Sequence, residues 1–391
     1  ISTGGSSDCN FIELALDNKL APYQYPVVKA YETMSFFEGL LAYYEITGEQ
    51  KYFTAVKNFL EAVAKTDITV IGCSGCTHEL FDNSAVKQTE YAENIMQETC
   101  VTVTWMRVSL RMFLQTGERK YIDRIEKSGF NALYGSINTN HNDILNLFSK
   151  KYVSGMTFDS YSPLYNNSRY RGTGGYMEFS GGGSCGCCEA IGACGVVLMP
   201  LTAVMQAEQG VIVNYLFKGE LNISDKNGKE VKLSFESGYP SENAGRITVL
   251  TDNKADLGLF IRLPGFADET LINGKVYSGE YADLSGEYRN GAVIEIKYKA
   301  GLKVLRLNGK VSFGYGAITL GTDSEKSGRD IEKQIDIDEK PGYRSINAAK
   351  RELLRVEIDL KNGGKLTLSD YQSCGKNKTK ENNNVTVWFN S

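Results

Sequence analysis

The string Thr-Gly-Glu-x-Lys-Tyr occurs twice in this chain, at residues 47–52 and 116–121. Each copy sits between two apolar stretches of helical spacing. The first run passes from Tyr31 through Phe36, Phe37, Leu40 and Leu41 to Ile46 and stops at Thr47-Gly48, because glycine just past a helix supplies the left-handed turn that ends it. From Tyr52 to about Ala64, Phe53, Val56, Phe59, Leu60 and Val63 recur at helical intervals. The second copy repeats the plan. Trp105, Val108, Met112 and Phe113 stripe one helix, Gln115-Thr116-Gly117 closes it, and a further helix starts near Lys120 with Tyr121, Ile125 and Phe130. Repeated helical hairpins restrict such a segment to a superhelix or a closed α/α barrel. A last apolar helix is expected from about Ala190 to Met205, after an irregular loop at Gly181-Gly182-Gly183-Ser184.

The pattern changes at Gly210. Val211–Tyr215, Ile247–Leu250, Leu259–Pro264, Val293–Tyr298 and Val385–Phe389 read as strands, with turn signals at Lys226-Asn227-Gly228 and Ile272-Asn273-Gly274 between them. The expected fold is therefore an α+β multidomain chain, helical first and antiparallel β, sandwich-like, afterwards. We place a helical-hairpin catalytic domain at 1–208 and a β-sandwich at 209–320. Further strands at 321–391 form a second module or complete the sandwich.

The chemistry concentrates in two fragments, Glu98-Thr99-Cys100 and Cys185-Gly186-Cys187-Cys188. One carboxylate and three thiols make a plausible four-ligand zinc set. Glu98 and Cys100 would point apart on a regular helix, so they are expected at a helix entrance. The β-branched run Val101–Thr104 delays a clear helix signal until about Trp105. A thiol there feels the positive end of the helix dipole. The competing metal set joins Cys73 and Cys76 to two of Cys185, Cys187 and Cys188, and spacing ranks the two sets nearly equal. With only two histidines in the chain, a histidine-rich metal site is excluded. Glu79, beside His78, is one acidic candidate; Asp82, Glu90 and Glu93 are others that position cannot separate from it.

A net charge of −4 with mixed signs argues for no nucleic-acid and no anionic-membrane partner. No apolar run reaches the roughly 20 residues of a membrane helix. Nine cysteines, five of them in two tight clusters, read as metal or redox chemistry rather than a disulfide framework. The cytoplasm is the expected compartment. The chain begins at Ile1, so an upstream leader is left open.

Several stretches resemble one family. They are Lys29-Ala30-Tyr31-Glu32-Thr33-Met34-Ser35-Phe36-Phe37-Glu38-Gly39-Leu40, Glu98-Thr99-Cys100-Val101-Thr102-Val103-Thr104-Trp105-Met106, Tyr161-Ser162-Pro163-Leu164 and Cys187-Cys188-Glu189-Ala190-Ile191-Gly192. In the β region Ile261-Arg262-Leu263-Pro264-Gly265-Phe266, Ile272-Asn273-Gly274 and Ser369-Asp370-Tyr371-Gln372-Ser373 continue the likeness. The family is the zinc-dependent β-L-arabinofuranosidases of glycoside hydrolase family 127, related to family 146. The combination of Glu-Thr-Cys with Cys-Cys is its specific part.

The resemblance implies an (α/α)6 barrel followed by β-sandwich domains. About half of the twelve barrel helices are found here, so the barrel is expected to be N-terminally incomplete. It also implies Zn2+ held by Glu98, Cys100, Cys187 and Cys188, with Cys187 as nucleophile and Glu79 as acid/base. His78 and Tyr161 are the expected sugar contacts. The implied reaction is retaining hydrolysis of β-L-arabinofuranosyl or similar residues from an oligosaccharide or glycan. The Cys-Cys pair is followed by Glu189-Ala190 rather than the Pro-Pro-Asn of some members, which points to a different subgroup. Two other readings predict different behaviour: a glycan-binding protein with a purely structural zinc, and a redox protein using Cys73 and Cys76.

Overall fold

The computed structural model describes residues 9–90, 96–137, 157–169, 186–327, 334–376 and 383–391, and the strand pairing alone of Ile144–Leu145, Tyr152–Val153, Met177–Glu178 and Ser184–Cys185. The loop Gly181–Gly183, the side chain of Cys185 and Glu93 lie outside the described residues. The fold is a mixture of helices and predominantly antiparallel β-sheet.

The described helices are α1 (Phe11–Asp17), α2 (Ala30–Thr47), α3 (Gln50–Thr66), the single turn α4 (Ser84–Lys87), α5 (Thr99–Thr116), α6 (Arg119–Ser128), the short α7 (Tyr134–Ser136) and α8 (Cys187–Ala203). Both sequence repeats fold the same way. Gly48 and Gly117 take left-handed φ of 69° and 67°, and their N–H groups bond Tyr44 and Phe113. Thr47 and Thr116 each donate a hydroxyl to the carbonyl four residues back and accept the N–H of Glu49 or Glu118. The Thr-Gly-Glu string thus closes one helix and seats the next. α2 packs on α3 and α5 on α6 as hairpins, and α5 is flanked by α2 and α8. Phe37 of α2 stacks on Phe59 of α3 with ring centroids 3.8 Å apart.

Two helix boundaries differ from the sequence expectation. α5 begins at Thr99 rather than near Trp105. Its β-branched residues are buried, and Thr102 and Thr104 return hydroxyl bonds to the carbonyls of Glu98 and Cys100, so packing and internal bonding outweigh their weak helix propensity. α8 ends at Ala203 because Val204–Ala207 turns back as a strand against Gly210–Val213.

One six-stranded antiparallel sheet runs in the order Lys275–Tyr277, Glu269–Ile272, Ala292–Lys299, Ala244–Leu250, Glu230–Ser237, Gly219–Ser224. A four-stranded sheet contains the parallel pair Leu259–Arg262 and Gly210–Val213. A nine-stranded sheet takes Asn167–Ser168 and the eight strands from Leu302–Leu307 to Phe389–Asn390, so it includes residues on both sides of 320. Its Ile318–Asp323 strand pairs with Asn384–Thr386, which in turn pairs with Asn167–Ser168. The expected strand 385–389 is split, because the Val387 N–H leaves the ladder to bond the Leu164 carbonyl. Among the described residues no helix is long and apolar enough to cross a membrane.

The helices and the first sheets are joined by a buried cation. Arg262 is 1% exposed, bonds Glu126 at 2.6 Å and the Asn214 carbonyl at 2.8 Å, and pairs with Asp123. Tyr239 donates to the same Glu126 carboxylate at 2.5 Å. Replacing Arg262 by Leu leaves Glu126 buried without its cation, and the expected loss is about 3–5 kcal/mol, read from denaturant midpoints at unchanged m-value.

A second ion cluster gives a pH-dependent prediction. Burial alone would raise the Glu352 pKa, but hydrogen bonds from Arg355 and the Ala349 N–H, with Lys326 beside it, bring it down to about 2. Because the folded value lies below the unfolded one, this stabilisation is present above pH 5 and fades as pH falls toward 2. The stability gap between wild type and Glu352→Gln should therefore narrow between pH 5 and pH 2 in denaturant titrations.

Candidate functional site

The first turns of α5 and α8 meet. Glu98 is the N-cap of α5 in extended conformation and Cys100 follows two residues on. Gly186 caps α8, so Cys187 and Cys188 open that helix. The two helices approach closely at Gly195, where a Cβ would lie 2.6 Å from Val103 Cγ2. A Cβ on Gly192 would lie 2.7 Å from the Phe158 ring. α5 is further anchored by Thr99, whose N–H and hydroxyl bond the carbonyls of Ser160 and Asp159.

This packing gathers Glu98, Cys100, Cys187 and Cys188, whose ligand atoms all lie within 4.8 Å of one another and could hold a metal ion. Cys100 and Cys188 sulfurs are 3.4 Å apart, Cys187 and Cys188 sulfurs 3.8 Å. Glu98 Oε1 is 3.8 Å from both Cys187 and Cys188 Sγ. These sulfur separations are far beyond a disulfide bond. Glu98, Cys100 and Cys188 are buried, and Cys187 alone of the set is exposed.

Burial, the nearby Glu79 carboxylate and Cys187 push the Glu98 pKa up to about 8. Hydrogen bonds from Cys100 and Cys188 hold the Cys187 thiol far below its ordinary range, and the same bond to Cys187 pushes Cys100 up. Of the three thiols, the exposed one is where water best screens a negative charge.

Glu79 lies beside this cluster, in a loop whose residues His78 and Glu79 both take left-handed φ, 48° and 63°. Two consecutive non-glycine residues in that region store backbone strain, as functional loops commonly do. The Glu79 carboxylate accepts from the Tyr161 hydroxyl at 2.6 Å and pairs with Lys29. Burial and the bond to Glu79 raise the Tyr161 pKa. Tyr161 also forms a β-bridge with Glu98, which ties Glu79 to the ligand cluster through one residue. His78 is exposed next to Glu79. Asp82 bonds the Ser84 hydroxyl and Glu90 is exposed, so neither shares this cluster.

Cys73 and Cys76 are buried free thiols outside the four-ligand group. Burial pushes Cys73 up to about 12 and Cys76 well above its usual value. Neither suits redox exchange, which needs an accessible thiolate. Sequence reasoning gave no role to Lys29. A lysine ahead of a helix carries no signal of its own, and only the chain path around Glu79 reveals it.

The sequence model described as "Beta-L-arabinofuranosidase, GH127 catalytic domain" matches residues 22–195. The one described as "Beta-L-arabinofuranosidase, GH127 middle domain" matches residues 210–300. The chain belongs to glycoside hydrolase family 127. Among solved structures, the family 127 chain is similar to Ara127N-Se, a GH127 β-L-arabinofuranosidase from Geobacillus stearothermophilus T6, at 15% identity and TM-score 0.71, over 94% of this chain and 62% of that one. It is similar to a GH127 β-arabinofuranosidase at 16% identity and TM-score 0.73, over 99% and 62%, and to a glycoside hydrolase at 17% and 0.65, over 96% and 68%. At these identities the likeness carries the fold. The chain spans about three fifths of the length of the first two structures, 62% of each. No curated protein matches the sequence.

In this family 127 chain, the approach of α8 to α5 sets the spacing of the four candidate ligands. Gly195→Val forces its side chain against Val103 and Leu133. The expected result is about 10–100-fold weaker metal binding with about 1–3 kcal/mol lost from overpacking, measured by chelator competition and thermal unfolding.

Proposed function

We propose that this chain carries the catalytic centre of a zinc-dependent retaining glycosidase acting on β-L-arabinofuranosyl or similar glycan ends. The observation that supports it most is the cluster of Glu98, Cys100, Cys187 and Cys188 with a single exposed thiol, next to Glu79. The donor set fits zinc. Zinc–sulfur bonds of about 2.3 Å in a tetrahedron imply sulfur–sulfur edges near 3.8 Å and sulfur–oxygen edges near 3.5 Å. Four of the six donor separations, 3.4 to 3.8 Å, fall close to those edges, and all lie within 4.8 Å. When bound, the zinc would keep Cys187 a thiolate at neutral pH and make it a better leaving group.

The residues then divide the work. Cys187 Sγ attacks the anomeric carbon and the bond to the leaving oxygen breaks, while Glu79 gives that oxygen a proton. In the second half a water oxygen bonds the anomeric carbon and Glu79 takes the water's proton. The carbon–sulfur electron pair returns to Cys187. Two inversions give net retention. Tyr161 and His78 are the proposed sugar contacts.

For the architecture, we read α2, α5 and α8 as inner helices and α3 and α6 as outer helices of an (α/α)6-type ring. The β part is read as sandwich-like; because one sheet crosses residue 320, we read the strands of 321–391 as completing a sheet begun at Leu302 rather than as a separate module. A reducing compartment such as the cytoplasm would keep the three cysteines available as ligands.

Turnover of an aryl β-L-arabinofuranoside and bound zinc test the reading together. Glu79→Gln should lower kcat by about 10²–10⁴-fold with zinc retained. Cys187→Ser should lose turnover by at least about 10³-fold. Undiminished activity in Cys187→Ser would eliminate the thiolate mechanism.

A further inference from the structure

We propose that Lys29 is a positioning residue that selects which oxygen of Glu79 handles the proton and that favours the second half of the reaction. The inference rests on the acid/base reading of Glu79 given above. Lys29 is the N-cap residue of α2, and its backbone is zipped to the loop that carries Glu79. Lys29 and Leu80 form a β-bridge, Ala30 N–H bonds the Glu79 carbonyl at 3.0 Å, and Phe81 N–H bonds the Val28 carbonyl at 2.7 Å. The ammonium and the carboxylate therefore come from two adjacent strips whose separation is fixed by backbone bonds. Neither side chain has to search for the other.

The two carboxylate oxygens have different neighbours. Oε2 faces the Lys29 ammonium, which has donors only. Oε1 faces the Tyr161 hydroxyl at 2.6 Å, which can donate or, by rotating, accept. A proton on Oε2 would point at an ammonium N–H. A proton on Oε1 meets a group able to reverse its bond. Oε1 is thus the oxygen that releases and collects the proton, with Tyr161 following its state.

The ammonium fixes the carboxylate from the Oε2 side and so keeps Oε1 in place. An aryl leaving group departs with little help from an acid, whereas the water of the second half needs a correctly placed base. Removing the charge should slow the second half while leaving the first comparatively intact, so the sugar accumulates on Cys187.

The test uses steady-state kinetics on an aryl β-L-arabinofuranoside, with mass spectrometry of acid-quenched enzyme. Lys29→Met should lower kcat about 10-fold with KM falling in step, so that kcat/KM changes by less than about 3-fold. A covalent adduct of one sugar residue should appear on the variant, and Lys29→Arg should recover most of kcat. Lys29→Gln, which keeps a polar stem without charge, should behave like Lys29→Met and guards against a packing defect of one substitution. A fall in kcat/KM as large as that in kcat, or no change in either, overturns the inference while wild-type turnover stands. A wild type that hydrolyses no furanoside overturns the enzymatic reading itself, and this inference with it.

Discussion

The site depends on two helices presenting their N-termini to the same point. Glu98 and Cys100 enter through the first turn of α5, Cys187 and Cys188 through that of α8. Such a donor set is costly to assemble in a buried position, because each negative charge raises the next. The structure meets that cost in three ways. The positive ends of two helix dipoles face the cluster. The sulfur of Cys187 is exposed, where water screens its charge. A divalent cation would neutralise most of what remains. The convergence is possible because Gly192 and Gly195 leave room for the Phe158 ring and for Val103.

The strip 157–169 connects this point to the rest of the chain. On one side it bonds α5 through Thr99 and bridges Glu98 through Tyr161. On the other side Tyr371 donates to the Pro163 carbonyl at 2.7 Å, Val387 N–H bonds Leu164, and Asn167–Ser168 joins a strand of the nine-stranded sheet. Arg169 is buried against the Tyr371 ring, 4.4 Å from its centroid, and bonds the Tyr371 and Cys374 carbonyls. The last third of the sequence therefore braces the ligand shell from behind. This explains physically why Tyr161-Ser162-Pro163-Leu164 and Ser369-Asp370-Tyr371-Gln372-Ser373, far apart in sequence, both stand out.

Legibility follows the range of the interactions. The hairpins were readable because Thr47-Gly48-Glu49 and Thr116-Gly117-Glu118 act within five residues, through a left-handed glycine and one hydroxyl. The start of α5 was not, because Thr102 and Thr104 are poor helix formers whose placement is decided by burial between α2 and α8. The ligand fragments were visible as residue types at unusual spacing. Their choice over a set containing Cys73 and Cys76 needed the resemblance, because spacing does not tell which helices converge. The exposure of Cys187 and the pairing of Lys29 with Glu79 depend on tertiary contacts that no local pattern announces.

The loop at Glu79 shows how the fold fixes a side chain through its backbone. A free glutamate samples three torsions, and salt pairing at a partly exposed site holds it only weakly. Here the orientation is set earlier in the chain of causes. His78 and Glu79 sit in left-handed conformation, at a cost of order 1–3 kcal/mol each. A bond from the Ala30 N–H to the Glu79 carbonyl and one from the Phe81 N–H to the Val28 carbonyl of the flanking strip hold them there. With the backbone fixed in this way, Lys29 and Tyr161 have only the side-chain torsions to restrain, one on each oxygen. Relaxing that strain, even with both partners present, would release the carboxylate from the sulfur cluster. The strained backbone is therefore part of the site, just as the two converging helix ends are.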